Sequence, residues 1–205
     1  MLADLTAASV IRLHDRVLDP PPSGAPPAPA DTAWHAIATN HRCNCLLWDE
    51  EDRARRRDVP PATIAQSKRL IDQYNQQRND AVEAMDEAVL ARLVRVQPQP
   101  GARLSSETAG AMIDRLSILA LKIFHMRAQS LRTDASRAHV EACRFKLTRL
   151  LTQRADLAFC LDQLLAEAAD GRAYFKVYRQ FKMYNDPALT PYLYGPPDRA
   201  AGAAP

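Results

Sequence analysis

Residues 107–126 read ETAGAMIDRLSILALKIFHM and form the most hydrophobic stretch of the chain. On a helix at about 100° per residue its apolar side chains point in every direction. A helix that is apolar all round is normally buried by other helices. Four polar residues interrupt it, which favours the centre of a helical bundle over a membrane span: Asp114, Arg115, Lys122 and His125.

Composition limits the classes of partner. The 205 residues carry 27 Lys and Arg against 24 Asp and Glu, well interspersed, and this net charge of +3 predicts neither a nucleic-acid partner nor a membrane surface. Four cysteines match neither a zinc site nor a disulfide framework, so we expect reduced, mostly buried thiols. The first residues lack a basic leader followed by an apolar run, which predicts no signal peptide and a cytoplasmic protein.

The chain divides into four parts. An amphipathic helix at 1–18 is a candidate docking arm, and the proline-rich stretch 19–30 predicts a semi-rigid linker. A helical bundle domain follows at 31–195, and 196–205 is predicted to be a disordered tail.

The bundle domain is predicted to be all-α, with four long helices and short extra helices at both ends. The first long helix begins at a cap on Asp31 or Thr32 and ends before Pro60-Pro61. Ser105 or Ser106 is expected to cap the central helix, Gly110 to let another backbone approach it closely, and Gly171 to end the helix at 136–169. The predicted helices after the linker cover 32–57, 62–94, 107–126, 136–169 and 172–184.

Three of these helices carry a polar stripe beside the apolar one. Because an unpaired polar group in a core costs several kcal/mol, we expect the stripes to meet in a polar cleft between the helices. The candidate ligand-binding residues of this cleft are His41, Asn44, Trp48, Glu51, Arg55, Asp72, Asn75, Asn79, Glu83, Asp86, Asp114, Arg115 and His125.

Two interpretations of the cleft stay open. In the first it is a buried network that fixes helix register, for example through Arg115 paired with Glu83 or Asp86. In the second, carboxylates hold magnesium and the cations bind phosphate oxygens. The magnesium ligands would be Glu51, Glu83, Asp86 and Asp114. The pair Glu83-x-x-Asp86 resembles half of the motif of all-α nucleotide pyrophosphohydrolases, but the second pair of glutamates is not intact here.

The histidines and aromatic residues receive more modest predictions. His41 and His125 lie on polar faces, and we expect no zinc at either, although acid–base chemistry stays open. His14, His35 and His139 are expected to be peripheral. Seven of the thirteen aromatic residues lie between Tyr174 and Tyr194, which favours a C-terminal segment that packs against the bundle through these side chains.

Four segments together are similar to the bacterial family known as domain of unknown function 4254. They are NHRCNCLLWDEEDRAR (40–55), IDQYNQQRNDAVEAMDEAV (71–89), ETAGAMIDRLSILALKIFHM (107–126) and FKMYNDPALTPYLY (181–194). The resemblance implies a cytoplasmic accessory or enzymatic role beside genes for lipopolysaccharide or other envelope glycans. It implies no established activity.

Two functional hypotheses follow. The first is a binding or accessory module for envelope-glycan assembly, which holds a protein partner through the first helix or the aromatic C-terminus. The second is a magnesium-dependent hydrolase or transferase acting on a nucleotide or nucleotide-sugar. A central helix this apolar is also compatible with a homo-oligomer.

Overall fold

The computed structural model describes residues 2–19, 31–180 and 188–189. Within these ranges the chain forms five helices and one pair of very short strands. In chain order they are α1 (Ala7–Leu18), α2 (Thr32–Ala54), α3 (Pro61–Arg92), β1 (Arg103–Leu104), α4 (Ala109–Ser130), α5 (Arg137–Ala169) and β2 (Ala173–Tyr174). The two strands pair in parallel, with Arg103 opposite Ala173. The all-α prediction is confirmed.

Helix α4, the predicted central helix, packs against each of the other four helices. Fully buried side chains from four helices meet around it, and these include Ile37, Met85, Ile113, Leu116 and Leu161. The burial is not complete on every side, because Lys122 and Phe124 face solvent. The nearly continuous apolar surface of α4 therefore reflects its contact with several helices at once.

Helix α1 is part of the core. Leu5 and Val10 are buried, and the side chain of Asp162 on α5 accepts a hydrogen bond from the backbone N–H of Ala7 at 2.7 Å. His14 is also fully buried, so the prediction that it is peripheral is wrong. Its place on the inner face of an amphipathic helix explains the burial. Only the exposed face of α1 is open to a partner.

The helix boundaries follow local capping chemistry, with one exception. Asp31 caps α2 by accepting from the N–H of Ala33 at 2.8 Å, as predicted. Helix α4 is capped by Thr108, whose hydroxyl accepts from the N–H of Ala111 at 3.1 Å, and not by Ser105 or Ser106. The N–H of Ser105 instead donates to the carbonyl of Tyr174 at 2.8 Å, which extends the strand pairing. Helix α4 therefore begins only at Ala109.

The predicted helix at 172–184 is wrong over 172–180. Gly171, at a φ of 73°, ends α5 as the sequence predicts, and the chain then pairs with β1 instead of continuing as a helix. Ala173 and Phe175 are buried while Tyr174 is half-buried, which is the alternation of an extended segment. The remainder of that predicted helix, most of the aromatic segment, nearly all of the linker and the tail lie outside the described residues.

In the part of the chain that the structure describes, no helix combines the length and the apolar character that crossing a membrane requires.

Candidate functional site

Five polar side chains meet where α2 crosses α4, and we call them the buried polar cluster: Asn40, His41, Asn44, Asp114 and Ser117. Asp114 Oδ1 accepts from Asn40 Nδ2 at 2.8 Å and from Asn44 Nδ2 at 2.9 Å. Asn44 Nδ2 also lies 3.0 Å from Ser117 Oγ, which is 2.7 Å from His41 Nδ1. The hydrogen bonds therefore form one continuous chain across the helix pair.

The buried polar cluster is almost entirely withdrawn from solvent. Four of its members are less than 5% exposed, and Asp114 is 9% exposed. The charge of Asp114 is balanced by Arg78 of α3, whose Nε lies 3.7 Å from Asp114 Oδ1. Arg78 Nε is itself buried without a hydrogen-bond partner among the described residues, so its contact with Asp114 is electrostatic. A buried carboxylate with two amide donors and a nearby guanidinium is paired within the protein.

His14 of α1 covers the end of this cluster. Its ring stacks on the ring of His41, with the centroids 4.4 Å apart. Neither ring nitrogen of His14 has a hydrogen-bond partner within the described structure. Burial lowers the pKa of His41 to about 4 and, together with the nearby His41 and Arg154, holds the pKa of His14 well below its usual range. Both rings are therefore neutral at pH 7.

Asp86 lies apart from the cluster, at the start of α4. Its Oδ1 accepts from the backbone N–H of Gly110 at 2.7 Å. Burial raises the pKa of Asp86 to about 6, against the opposing effect of hydrogen bonds from Thr108 and Gly110. A Cβ on Gly110 would stand 2.6 Å from the carbonyl oxygen of Val82, so Gly110 permits the close approach of α3 and α4, as predicted.

The four predicted magnesium ligands are not brought together. Glu83 binds Arg179 at 2.6 Å and the backbone N–H of Gln180 at 3.0 Å, while Glu51 pairs with Arg55 at 2.9 Å on the surface. Over the described residues, no group of three or more His, Cys, Asp or Glu side chains is arranged to hold a metal ion.

The predicted pairing of Arg115 with Glu83 or Asp86 is wrong. Arg115 is exposed and forms its ion pair with Glu107. One turn of α4 therefore presents Asp114 to the core and Arg115 to solvent, because adjacent residues on a helix point about 100° apart.

The remaining predicted residues of α3 are dispersed along the helix. Asp72 is exposed and pairs with Lys68 at 2.5 Å. Asn75 is half-buried and Asn79 is buried, on the side of α3 that carries Arg78. The polar stripe of α3 thus meets the buried polar cluster through Arg78, which was not among the candidate site residues.

An open groove lies between α2, α4 and α5, and we call it the cationic groove. Its volume is about 480 Å³, within the range of small-molecule sites. Trp48 and His125 stack in parallel on its wall, with centroids 4.4 Å apart and an interplanar angle of 1°. Its lining residues are Trp48, Lys122, His125, Met126, Gln129, Lys146, Arg149, Leu150 and Gln153.

The charge of this groove has one sign. Among the described residues, three cations line it, Lys122, Lys146 and Arg149, and no Asp or Glu does. Among the described residues none of the three has a carboxylate partner within ion-pair distance, although the Arg149 guanidinium lies over the ring of Phe145. An apolar wall with unpaired cations at the rim is suited to an anion that carries a flat or apolar body.

Sequence reasoning found Trp48 and His125 but missed the cations that α5 contributes. Lys146 and Arg149 follow each other at a three-residue spacing beside Leu150, a signal that the apolar pattern of α5 obscured. It also missed Asn40, which stands one helical turn before Asn44 and so shares its face.

The four cysteines are free. Cys43 and Cys143 are buried, whereas Cys45 is half-buried and Cys160 is exposed. The prediction of buried thiols is therefore right for two of the four cysteines. Burial raises the pKa of the Cys45 thiol to about 11, although its Sγ lies 3.9 Å from His41 Nε2. This thiol is therefore protonated at neutral pH and is a poor nucleophile.

Comparison with family models assigns the chain to a protein family. The model described as "Protein of unknown function (DUF4254)" matches residues 34–177, which is more than half of the chain. The chain belongs to the DUF4254 family. This match spans α2 to β2 and so includes both the buried polar cluster and the cationic groove. The comparison with curated proteins and the comparison with solved structures each returned no match.

Proposed function

We propose that this DUF4254 protein is a binding module whose cationic groove takes a nucleotide-sugar or a related nucleotide. The observation that carries the proposal is the parallel stack of Trp48 and His125 beside three cations that have no carboxylate partner among the described residues. The aromatic wall offers a stacking surface for a base or a sugar ring. The cations offer donors to the diphosphate.

The buried polar cluster has a different role in this proposal. Its hydrogen bonds are satisfied within the protein and its atoms are withdrawn from solvent, so it fixes the register of α2 against α4. Of the two interpretations of the polar side chains, the register network therefore describes Asn44, His41 and Asp114, and ligand binding describes the open groove.

A magnesium-dependent hydrolase or transferase receives less support. Such an enzyme needs carboxylates converging on one cation. Glu83 and Glu51 are engaged in ion pairs with Arg179 and Arg55, and Asp86 is engaged at the N-terminus of α4. In the part of the chain that the structure describes, no specific contact favours catalysis over binding.

The family resemblance supplies the biological setting of the proposal. We propose a bacterial, cytoplasmic accessory role in the assembly of lipopolysaccharide or another envelope glycan, where nucleotide-sugars are the activated donors. A protein partner such as a glycosyltransferase would be held by the exposed face of α1 or by the aromatic C-terminal segment.

A thermal-shift screen tests the ligand class. Nucleotide-sugars and nucleoside diphosphates should raise Tm by mass action, with equal shifts in magnesium and in EDTA, whereas inorganic phosphate and the free nucleoside should give smaller shifts. The binding proposal fails if no nucleotide raises Tm. It gives way to the magnesium alternative if the shift needs magnesium and disappears in Glu83→Gln.

A further inference from the structure

The outer face of α5 is unusual for a solvated helix. Five residues at three- and four-residue spacing line it, and all are exposed: Phe145, Thr148, Thr152, Ala155 and Phe159. Phe145 is 64% exposed and Phe159 is 70% exposed. No charge interrupts this stripe over about 21 Å of helix, at 1.5 Å per residue. We call it the α5 stripe.

The α5 stripe lies opposite the side of α5 that packs on α4 and α1. That inner side buries Leu157, Leu161 and Leu164. Surface helices of soluble proteins normally carry charged residues on the face away from the core. A helix that is uncharged on two opposite sides, with large aromatic groups on the outer one, is expected to be covered on both.

The order of residues in the stripe is close to a palindrome. Phe145 and Phe159 lie seven residues before and after Thr152, and small residues, Thr148 and Ala155, separate them from it. A two-fold axis beside Thr152 would bring Phe145 of one copy next to Phe159 of the other, twice. The small residues between them would let the two helices approach closely at the centre. Self-complementarity of this kind is the mark of an isologous interface.

The charges that flank the stripe obey the same symmetry. Arg149 precedes Thr152 by three residues and Asp156 follows it by four, on the same flank of the helix. In an antiparallel pair, Arg149 of each copy faces Asp156 of the other, which gives two ion pairs.

We infer that the α5 stripe binds a second copy of this chain, in an antiparallel α5–α5 contact centred on Thr152. Arg149 also lines the cationic groove, so the two surfaces share this residue, but the inference does not depend on which ligand the groove takes. The occupant is a second copy because the aromatic spacing and the Arg149–Asp156 pairing each repeat under the same two-fold rotation.

Analytical ultracentrifugation of the full chain tests the contact. The wild-type protein should sediment as a monomer–dimer equilibrium between 1 and 100 µM, and Phe145→Ser with Phe159→Ser should raise the dimer Kd about 100-fold, as loss of central aromatic anchors does. Leu131→Ser is the matched control, because Leu131 is also 70% exposed but lies outside the α5 stripe. It should leave the Kd unchanged.

A charge exchange tests the antiparallel arrangement. Asp156→Arg should weaken the dimer, and adding Arg149→Asp should restore it. Monomeric wild-type protein at 100 µM, or equal effects of Leu131→Ser and the phenylalanine variants, would overturn the inference. Failure of the double exchange to restore the dimer would overturn the antiparallel arrangement.

Discussion

Helices α2 and α4 meet at two polar places that behave in opposite ways. At the first, the buried polar cluster, every contact is internal and Asn40 and His41 have no exposed surface. At the second, about one turn further along α2, Trp48 stacks on His125 beside an open groove. The helix pair is the same, and what differs is the element that covers it.

Helix α1 closes the first place, because His14 lies directly against His41. Helix α5 contributes Lys146, Arg149 and Leu150 to the second, and these side chains leave a volume of about 480 Å³ between them. Polar residues alone therefore do not identify a binding site. Polar groups that are satisfied and covered specify packing, whereas exposed cations without partners are available to a ligand.

The largest effect on stability is expected from disrupting the buried polar cluster. Asp114→Ala leaves Asn40 and Asn44 without their acceptor and Arg78 without its ion-pair partner, and we expect it to lower the free energy of unfolding by about 3 kcal/mol. Urea denaturation followed by circular dichroism measures this loss. The matched control is Asp72→Ala, an exposed acid on α3 whose removal should change stability by less than ~0.5 kcal/mol. Equal losses in the two variants would contradict a structural role for the cluster.

Acid should also destabilise the packing of α1 over the buried polar cluster. Because the folded-state pKa of His41 is about 4, below the usual 6.5, the unfolded chain binds more protons between these values and stability falls as pH drops through this window. His41 alone should remove about 2 kcal/mol between pH 7 and pH 5. His14→Phe keeps a stacked ring without a titratable group, so its stability should fall less on acidification.

Asp86 works in the opposite direction and serves as the control for this pH dependence. Its folded-state pKa of about 6 lies above the usual 3.8, so the folded chain binds more protons between these values and protonation favours folding as pH drops. Asp86→Asn removes this offset, and we expect its stability to fall more steeply than that of the wild type from pH 7 to pH 5. Parallel pH profiles for all three proteins would show that these groups do not govern acid stability.

Substitutions in the cationic groove should change the affinity for the ligand and not the stability of the protein. Lys146→Glu with Arg149→Glu reverses two of the three groove charges, and we expect affinity for UDP-glucose to fall at least about tenfold while the free energy of unfolding changes by less than ~0.5 kcal/mol. Isothermal titration calorimetry measures the affinity. Arg127→Glu, on the exposed surface of α4 outside the groove lining, is the matched charge reversal and should bind normally.

The smallest effect is expected from a conservative change in the aromatic wall. Trp48→Phe keeps a flat ring beside His125 and should weaken binding by only about threefold, whereas Trp48→Ala should cost at least about tenfold, within the range for stacking contacts. The same titration compares the two variants. Equal affinities for Phe and Ala at this position would exclude stacking as a source of affinity.

Local patterns in the sequence predicted the helical elements well. Asp31, Pro60-Pro61 and Gly171 mark helix boundaries through chemistry that acts within a few residues, and the structure bears these predictions out. The failure at 172–180 has a non-local cause, since pairing with β1, about 70 residues earlier, decides that segment. Propensity within the segment carries no record of this partner.

The candidate site shows the same division. Helical periodicity correctly put Asn44, His41 and Asp114 on facing sides of their helices, and the structure brings them together. It did not show that His14 would cover the buried polar cluster or that Glu83 would pair with Arg179. Nor did it show that α5 would contribute Lys146 and Arg149 to the cationic groove. Each of these depends on how distant helices pack, and periodicity within one helix does not encode that.

Calorimetric titration of UDP-glucose into the full chain in EDTA is the most direct test of the contrast between the two places. We predict that the wild type and Ser117→Ala, a variant of the buried polar cluster, bind with similar Kd, while the Lys146→Glu, Arg149→Glu protein binds at least about tenfold more weakly. Binding that requires magnesium, is lost in Ser117→Ala and is unchanged by the groove variant would contradict the account.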